Sequence, residues 1–299
     1  MLTINPKEIS IPQLHAYMLS SIAPRPIALA STIDKDGNIN LSPFSFFNAF
    51  GSNPATLIFS PARRVRDNTT KHTLENVLEV PEVVINVVNY EMVQQTSLSS
   101  VEFPSGVNEF TKAGFTPLAS QLVKPFRVKE SPVQFECKVV EVKAMGDQGG
   151  AANLIICEIV LMHISDSVLN AQSRIDQHKI DLVARLGGDY YVRASGNALF
   201  EVHKPNTKPA IGIDQLPDVI RQSKILTGNN LGQLGNAEHL PGKEELAEIH
   251  IEAELQDLRE RFYNDAESLE YHRHLLAKEY LDAGNVLAGW KVLLAVIPD

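Results

Sequence analysis

The chain has 299 residues, 44% of them hydrophobic, and a formal net charge of −9 at pH 7. Its length and composition allow a sizeable core, in one large domain or in a domain with an appendage, and the negative charge argues against a nucleic-acid-binding protein. The sequence shows neither a signal-peptide-like N-terminus nor an apolar run of about eighteen residues, so we expect a cytoplasmic protein that does not bind a membrane.

Residues 1–204 predict a domain of short strands joined by turns. Residues 26–33 are small and apolar, as in a buried strand, and the turn over 34–37 ends in Asp-Gly, which is typical of an antiparallel hairpin. The next strand is predicted over 38–50. Within it Pro43 cannot donate a backbone hydrogen bond, so we expect this residue at a sheet edge or a bulge.

A short helix is predicted after these strands, because Leu74, Val77 and Leu78 recur at helical spacing. Asp67 or Asn68 is placed to cap its first turn. The residues around this helix start are also the most basic in the domain.

More strands and a second short helix complete the predicted domain. We expect the strands over 82–88, 132–143, 154–163 and 190–193, and the helix over 91–99. The only two cysteines, Cys137 and Cys157, lie in two of these strands and are interpreted as small core residues. The pattern predicts a mainly β fold, a closed or nearly closed antiparallel barrel with short peripheral helices.

The last third of the chain predicts a different organisation. Residues 205–242 hold four prolines and five glycines, which predicts an irregular linker. Residues 243–299 predict an acidic helical extension, because apolar residues recur at helical spacing from Ile251 to Phe262 and beyond. Between residues 243 and 282, twelve acidic and five basic residues carry −7 of the net charge.

Two neighbouring stretches carry the candidate chemistry. Residues 40–48 place three phenylalanine rings and two serine hydroxyls beside a proline, and residues 63–73 gather four cations and three threonines where a helix is predicted to begin. Each stretch alone has an ordinary explanation, as core aromatics and as a solvated arginine-rich turn. Together they offer an apolar platform and an anion site, which suits a flat phosphorylated cofactor such as flavin mononucleotide (FMN).

A family resemblance joins these stretches to other parts of the domain. The segments that carry it are 25–32, the hairpin turn over 34–37, 40–48, 71–76 and 109–116. In this order they resemble the flavin reductase-like, FMN-binding split-barrel family, which includes flavoredoxins and many NAD(P)H:FMN oxidoreductases. The resemblance covers approximately residues 15–195.

The resemblance implies a six-stranded split barrel, a homodimer and FMN bound near the dimer interface. Carried over by position, it also implies two groups of cofactor-binding residues. The group expected at the rings and ribityl chain is Ser45, Phe46 and Asn48, together with the backbone around Ser31 and Thr32. The group expected at the phosphate is Ser60, Arg66, Thr70, Lys71 and Thr73. The role of His72 stays open, because family members commonly have aspartate there, and residues 97–100 and 187–190 are expected as secondary contacts.

The implied reaction is hydride transfer from NADH or NADPH to the bound FMN, with a small molecule or an electron-transfer protein as the final acceptor. This step requires no protein acid or base, and the sequence shows no Ser-His-Asp arrangement, no metal-binding cluster and no dinucleotide-binding glycine motif. The nicotinamide is therefore expected to bind transiently over the flavin.

Two alternatives stay open at this point. One is a flavoredoxin-like FMN electron carrier that receives electrons from a protein partner, with the acidic tail as its docking surface. The other is a flavin-binding barrel without turnover, or a barrel that acts on a different phosphorylated ring such as pyridoxal phosphate.

Overall fold

The computed structural model describes residues 1–104, 106–202 and 208–295. The chain folds as two compact units, Met1–Phe200 and Glu201–Asp299. In the described part of the chain, no helix combines the length and the apolar composition that crossing a bilayer requires.

The first unit is built mainly from strands. These are β1 (Ala28–Ile33), β2 (Ile39–Phe44), β3 (Phe47–Ser52), β4 (Ala55–Phe59), β5 (Glu82–Val87), β6 (Pro117–Leu118), β7 (Arg127–Val128), β8 (Val133–Ala144), β9 (Asn153–Ile164), β10 (Val183–Arg185) and β11 (Tyr191–Arg193). Its helices are α1 (Ile11–Ser21), α2 (His72–Glu79), α3 (Val93–Leu98), α4 (Glu109–Ala113) and α5 (Gln177–Ile180).

The main sheet closes on itself through one bent strand. Seven antiparallel strands follow the order β2-β1-β5-β8-β9-β4-β3, so β2 and β3 lie at opposite ends of the sheet. Only Ser45 and Phe46 separate these two strands in the chain, and the two ends of the sheet must therefore meet. When β2 and β3 are counted as one strand that pairs first with β1 and then with β4, the result is a six-stranded barrel. The predicted mainly β split barrel is confirmed.

The free edge of β2 explains how the sheet tolerates a proline. Pro43 lies opposite Leu29 of β1, and β2 has no strand on its other side among the described residues. Because no described strand pairs with β2 on that side, the missing N–H group of Pro43 costs no hydrogen bond between strands there. The expectation of an edge position for Pro43 is confirmed.

One face of the sheet and helix α2 enclose the main core. Phe44, Phe59 and Leu74 pack there with both cysteines, which are fully buried. Burial raises the pKa of the Cys137 thiol, with Cys157 adding to the effect, and burial raises the pKa of Cys157 to about 12. Neither thiol is therefore available as a nucleophile at neutral pH.

Helix α2 begins later than the sequence predicts. The expected cap by Asp67 or Asn68 is wrong, because the helix starts at His72 and Lys71 occupies the N-cap position without a side-chain cap. Asp67 instead accepts hydrogen bonds from the N–H (3.0 Å) and hydroxyl (2.6 Å) of Thr69. Those bonds stabilise the loop before the helix rather than the helix itself.

The second unit is helical, as predicted. Its helices are α6 (Asp218–Arg221), α7 (Gly228–Gly235), α8 (Lys243–Ala247), α9 (Glu252–Arg261), α10 (Ala266–Asp282) and α11 (Val286–Leu294). Trp290, Leu234 and Leu281 are buried at the centre of its core.

The segment predicted as an irregular linker, 205–242, differs in the structure. Its described part contains α6 and α7, and Ile220 and Leu234 from these helices lie in the core of the second unit. The glycines of α7 lower its helix propensity, but a capping box between Thr227 and Asn230 and the packing of Leu234 stabilise it. Tertiary packing outweighs the local composition here.

Candidate functional site

The loop between β4 and α2 is organised by its own arginines. Arg63 Nε donates to Asn68 Oδ1 (2.7 Å), and Arg64 Nη1 donates to Thr69 Oγ1 (3.0 Å) and to the carbonyl of Thr70. These bonds fold the loop back on itself and bring Arg64 close to the first turn of α2. The arginine-rich stretch is thus an ordered turn rather than a freely solvated one.

A small polar cleft lies where this loop, the start of α2, strand β2 and the connection from α3 to α4 come together. The residues that matter most for its chemistry are Asn40, Ser42, Arg64, Lys71, Ser99 and Ser100. Asn40 and Ser42 lie two positions apart on β2, so they project from the same face of the strand.

Lys71 gives this cleft an available positive charge. Its side chain is partly buried, and among the described residues no acceptor lies within hydrogen-bonding distance of its ammonium group. Burial and the nearby Arg64 lower the pKa of Lys71, while Glu102 acts in the opposite direction. The N–H groups of His72 and Thr73 at the start of α2 also have no acceptor within the described chain. An anion in the cleft would meet both the ammonium and these donors.

Two carboxylates also reach this cleft. Glu102 pairs with Arg64 Nε at 2.8 Å and with Arg66, and hydrogen bonding to Arg64 lowers the pKa of Glu102. Glu109 is 5% exposed and accepts the N–H of Leu41 at 3.1 Å, and its burial raises its pKa. The cleft therefore combines cations and open backbone N–H groups with one carboxylate that is paired with arginines and one that is buried.

A second group of candidate residues lies at the bend between β2 and β3. The carbonyl of Phe46 accepts the N–H of Ser60 at 2.9 Å, and the Phe46 ring meets the His15 ring of α1 edge-on at 6.0 Å. The buried Ser60 hydroxyl has no hydrogen-bond partner in the described chain. We call Ser45, Phe46 and Ser60 the corner.

Arg25 ties the corner to neighbouring segments. Its guanidinium is 5% exposed and donates to the carbonyls of Leu19 (2.5 Å), Ile22 (2.7 Å) and Leu186 (2.9 Å), and to the Ser45 hydroxyl at 3.4 Å. Burial lowers the pKa of Arg25, with Arg185 adding to the effect. One side chain thus positions the end of α1 and the turn after β10 beside the corner.

The structure divides the residues predicted for the phosphate. Lys71 and Thr73 line the cleft. Arg66 is on its rim, where its side chain is 69% exposed and pairs with Glu102 and Asp67. The hydroxyl of Thr70 donates to the carboxylate of Glu75, and Ser60 lies at the corner instead.

The residues predicted for the rings are divided as well. Ser45 and Phe46 form the corner, while Asn48 is exposed on β3 and accepts the N–H of Ala49 at 2.8 Å. Thr32 is fully buried, and its hydroxyl accepts a hydrogen bond from Asn76 at 3.1 Å. Ser31 is also fully buried, on the opposite face of β1, and its hydroxyl has no partner in the described chain.

Sequence reasoning missed four residues of the cleft: Asn40, Ser42, Glu102 and Glu109. A signal for the first two exists, since two polar residues at a spacing of two on a strand share a face. Glu109 begins the segment 109–116 that carries the family resemblance, but no such signal exists for Glu102, which the fold brings in from the connection after α3.

Comparisons with known proteins agree with this architecture. The family model described as a flavin reductase like domain matches residues 19–179. An uncharacterised protein from Aquifex aeolicus (strain VF5) is 40% identical over 196 residues, which cover 66% of this chain and 97% of that protein.

Two solved structures share the fold. Nitrilotriacetate monooxygenase component B from Bacillus cereus superposes with a TM-score of 0.63 at 27% identity, covering 68% of this chain and 98% of that one. A Shewanella frigidimarina NCIMB 400 protein assigned as a flavin reductase with a split barrel domain gives a TM-score of 0.57 at 25% identity, covering 68% and 99%. In each comparison the matched share of this chain is close to that of its first unit.

Proposed function

Because this chain belongs to the flavin reductase like domain family, we propose that it is an FMN-dependent oxidoreductase that accepts hydride from NADH or NADPH. The observation that carries the proposal is the partly buried ammonium of Lys71, which has no partner among the described residues and lies beside Arg64 and the open N–H groups of helix α2. This arrangement suits a phosphate group, which is the part of FMN that a protein must hold by charge.

The position of the cleft relative to the corner supports an extended flavin nucleotide. Asn40 lies at the cleft on β2, and Ser45 lies at the corner, five residues further along the chain and directly after the end of that strand. At the rise of an extended strand they are about 16 Å apart, which is comparable with the length of an extended FMN molecule. The unpartnered hydroxyl of Ser60 at the corner supplies a hydrogen-bonding group at the ring end.

When bound, FMN supplies the redox chemistry that the side chains of this protein lack. The chain's own residues bind the cofactor and orient it. Arg64 and Lys71 neutralise the phosphate, and the N–H groups of His72 and Thr73 fix its position. Phe46 offers an apolar surface that excludes water from one part of the ring site, and Arg25 stabilises the corner through its bonds to α1.

One observation favours the second candidate, an FMN electron carrier. The second unit contains seventeen acidic and ten basic residues and so carries −7 of the net charge of −9. A surface of one charge speeds association with an oppositely charged redox partner. The final electron acceptor would then be a protein rather than a small molecule.

A visible spectrum and an anaerobic titration test the proposal. The purified full chain is loaded with FMN, freed of excess flavin and titrated with NADH and then NADPH. We expect rapid bleaching of the flavin band with at least one nucleotide. A protein that keeps FMN, resists both nucleotides and is reduced by a protein donor would support the electron carrier instead. A protein that takes up no FMN would exclude both.

A further inference from the structure

Glu102 occupies the cationic side of the cleft with its own carboxylate. One oxygen is 2.8 Å from Arg64 Nε, and the other pairs with Arg66. Its charge also acts on Lys71, whose pKa it raises against the effects of burial and Arg64. The Glu102 carboxylate therefore acts on Arg64 and Lys71 in the cleft and on Arg66 at its rim, where Arg66 also pairs with Asp67.

When a phosphate monoester binds, the negative charges at this site outnumber the positive ones. Arg64, Arg66 and Lys71 bring three positive charges, whereas Glu102 brings one negative charge and Asp67, 3.0 Å from Arg66 Nε, brings another. A phosphate dianion beside Lys71 would repel the Glu102 carboxylate at close range. Arg64 cannot donate the same N–H fully to both anions.

The location of Glu102 allows its carboxylate to move away from the two arginines. It lies in the connection between α3 and α4, and its side chain is 35% exposed, whereas that of Arg64 is 15% exposed. The neighbouring Val101 is 48% exposed. The carboxylate can therefore rotate towards solvent while the arginine, held by Thr69 and Thr70, stays in place.

We propose that Glu102 is an internal anion that holds Arg64 and Arg66 while the cleft is empty and is displaced by the phosphate of the flavin nucleotide. The proposal rests on the proposed function, since it assigns the phosphate of FMN to this cleft. Binding is then an exchange of one anion for another. Glu102 therefore competes with the phosphate of FMN, whereas a ligand without a phosphate leaves the carboxylate in place.

The test compares FMN and riboflavin, which differ in the phosphate, on the full chain and its variants. Glu102→Gln removes the charge and keeps an oxygen that accepts from Arg64. We expect this variant to bind FMN about tenfold more tightly and riboflavin with unchanged affinity, because the like charge next to the dianion is gone. Inorganic phosphate, titrated into the flavin-free protein, should likewise bind the variant more tightly than the wild type, for the same reason.

Three further variants make the result decisive. Glu79→Gln changes the net charge equally, but Glu79 contacts Lys35 at the other end of α2, so its FMN affinity should match the wild type. Lys71→Ala should weaken FMN at least about tenfold and leave riboflavin nearly unaffected, because it removes a cation from the phosphate site. Glu102→Ala also removes the charge and should tighten FMN binding as Glu102→Gln does. Circular dichroism establishes that each variant is folded.

The possible outcomes separate the two proposals. If the wild type binds neither flavin, the proposed function and the role of Glu102 both fail. If the wild type binds FMN but neither Glu102 variant binds it more tightly, the role of Glu102 is wrong and the function stands. Equal tightening for FMN and riboflavin also contradicts the role of Glu102, because the effect would then not depend on the phosphate.

Discussion

Glu136 is a fully buried carboxylate near the start of strand β8, outside the cleft and the corner. It accepts the N–H groups of Gln121 (2.9 Å) and Leu122 (2.6 Å), and His163 on β9 approaches it at 2.8 Å. Burial by itself raises the pKa of Glu136, but these hydrogen bonds outweigh it and hold the pKa below the ordinary value of 4.5. The charged carboxylate thus fixes the loop that enters β7 against the sheet.

Glu136→Gln should destabilise the first unit by about 2–4 kcal/mol at neutral pH, because the amide can accept from only one of the two N–H groups. The folded-state pKa of Glu136 is lowered, so its contribution is complete above the unfolded pKa and is lost as the pH falls through the folded pKa. The gap in unfolding free energy between wild type and variant should therefore narrow below pH 4.5.

Denaturant unfolding followed by circular dichroism over a series of pH values measures this gap. Glu158→Gln is the matched control, since Glu158 is exposed on the neighbouring strand β9 and its change should stay within about 0.5 kcal/mol. A gap for Glu136→Gln that does not change with pH would contradict the assigned role of its charge.

For individual residues, the sequence predicts the chemical character of the candidate stretches better than the position of each side chain. The arginine-rich loop and the serine–phenylalanine stretch are identifiable from their composition. The composition does not show which threonines are exposed and which are buried. In the structure Thr32 and Thr73 are both buried and both accept hydrogen bonds from Asn40 (3.4 and 2.8 Å). Glu102 reaches the cleft only through tertiary structure, and its local sequence contains no sign of that role.

At the scale of the elements, periodicity predicts the long strands and the C-terminal helices well. Strands β5, β8 and β9 fall where alternation or continuous apolar runs predict them. Helix α1 was not predicted, because none of its residues is buried and its pattern is accordingly weak. Helix α7 was missed because its glycines suggested a loop, and only the core of the second unit explains its stability.

The hairpin of α10 and α11 depends on one glycine. A Cβ atom added at Gly289 would lie 2.9 Å from both Cγ and Cδ2 of Leu281, and Leu281 is fully buried. The two helices therefore approach each other more closely than a larger residue permits.

Gly289→Ala should destabilise the second unit by about 1–3 kcal/mol, because the added methyl group forces apart two packed helices. The control is Gly232→Ala in α7, where no atom lies within 4 Å of the added Cβ, and helix propensity alone should stabilise that variant by up to about 1 kcal/mol. The single tryptophan, Trp290, is buried in this unit, so its fluorescence during denaturant unfolding reports the difference. An equal change in the free energy of unfolding in both variants would contradict a role for the close contact between Gly289 and Leu281.

At the scale of the whole molecule, charge and similarity both separate the two units. Residues 1–200 carry −2 and residues 201–299 carry −7 of the net charge. The related proteins match about two thirds of this chain, and the family model ends at residue 179. The redox proposal therefore concerns the first unit, which contains all the residues that the family model matches.

Helix α1 presents an apolar face to solvent in the single chain. Ile11, Met18 and Ile22 lie on one side at helical spacing and are 51%, 41% and 62% exposed. Exposed apolar faces of this kind mark interaction surfaces. Because Arg25 connects the end of α1 to the corner, a partner on this face would lie close to the proposed ring site.

We propose that this face forms the interface of a homodimer, as the family resemblance implies. The double variant Met18→Lys with Ile22→Lys should be monomeric and should bind FMN more weakly, since the corner would lose the support of the second copy. Light scattering coupled to size-exclusion chromatography measures the mass, and flavin fluorescence measures binding. The control, Gln13→Lys with Ala16→Lys, adds the same charge to the opposite side of α1 and should remain dimeric. A wild-type chain that is monomeric at high concentration, or a Met18/Ile22 variant that still dimerises, would contradict this interface.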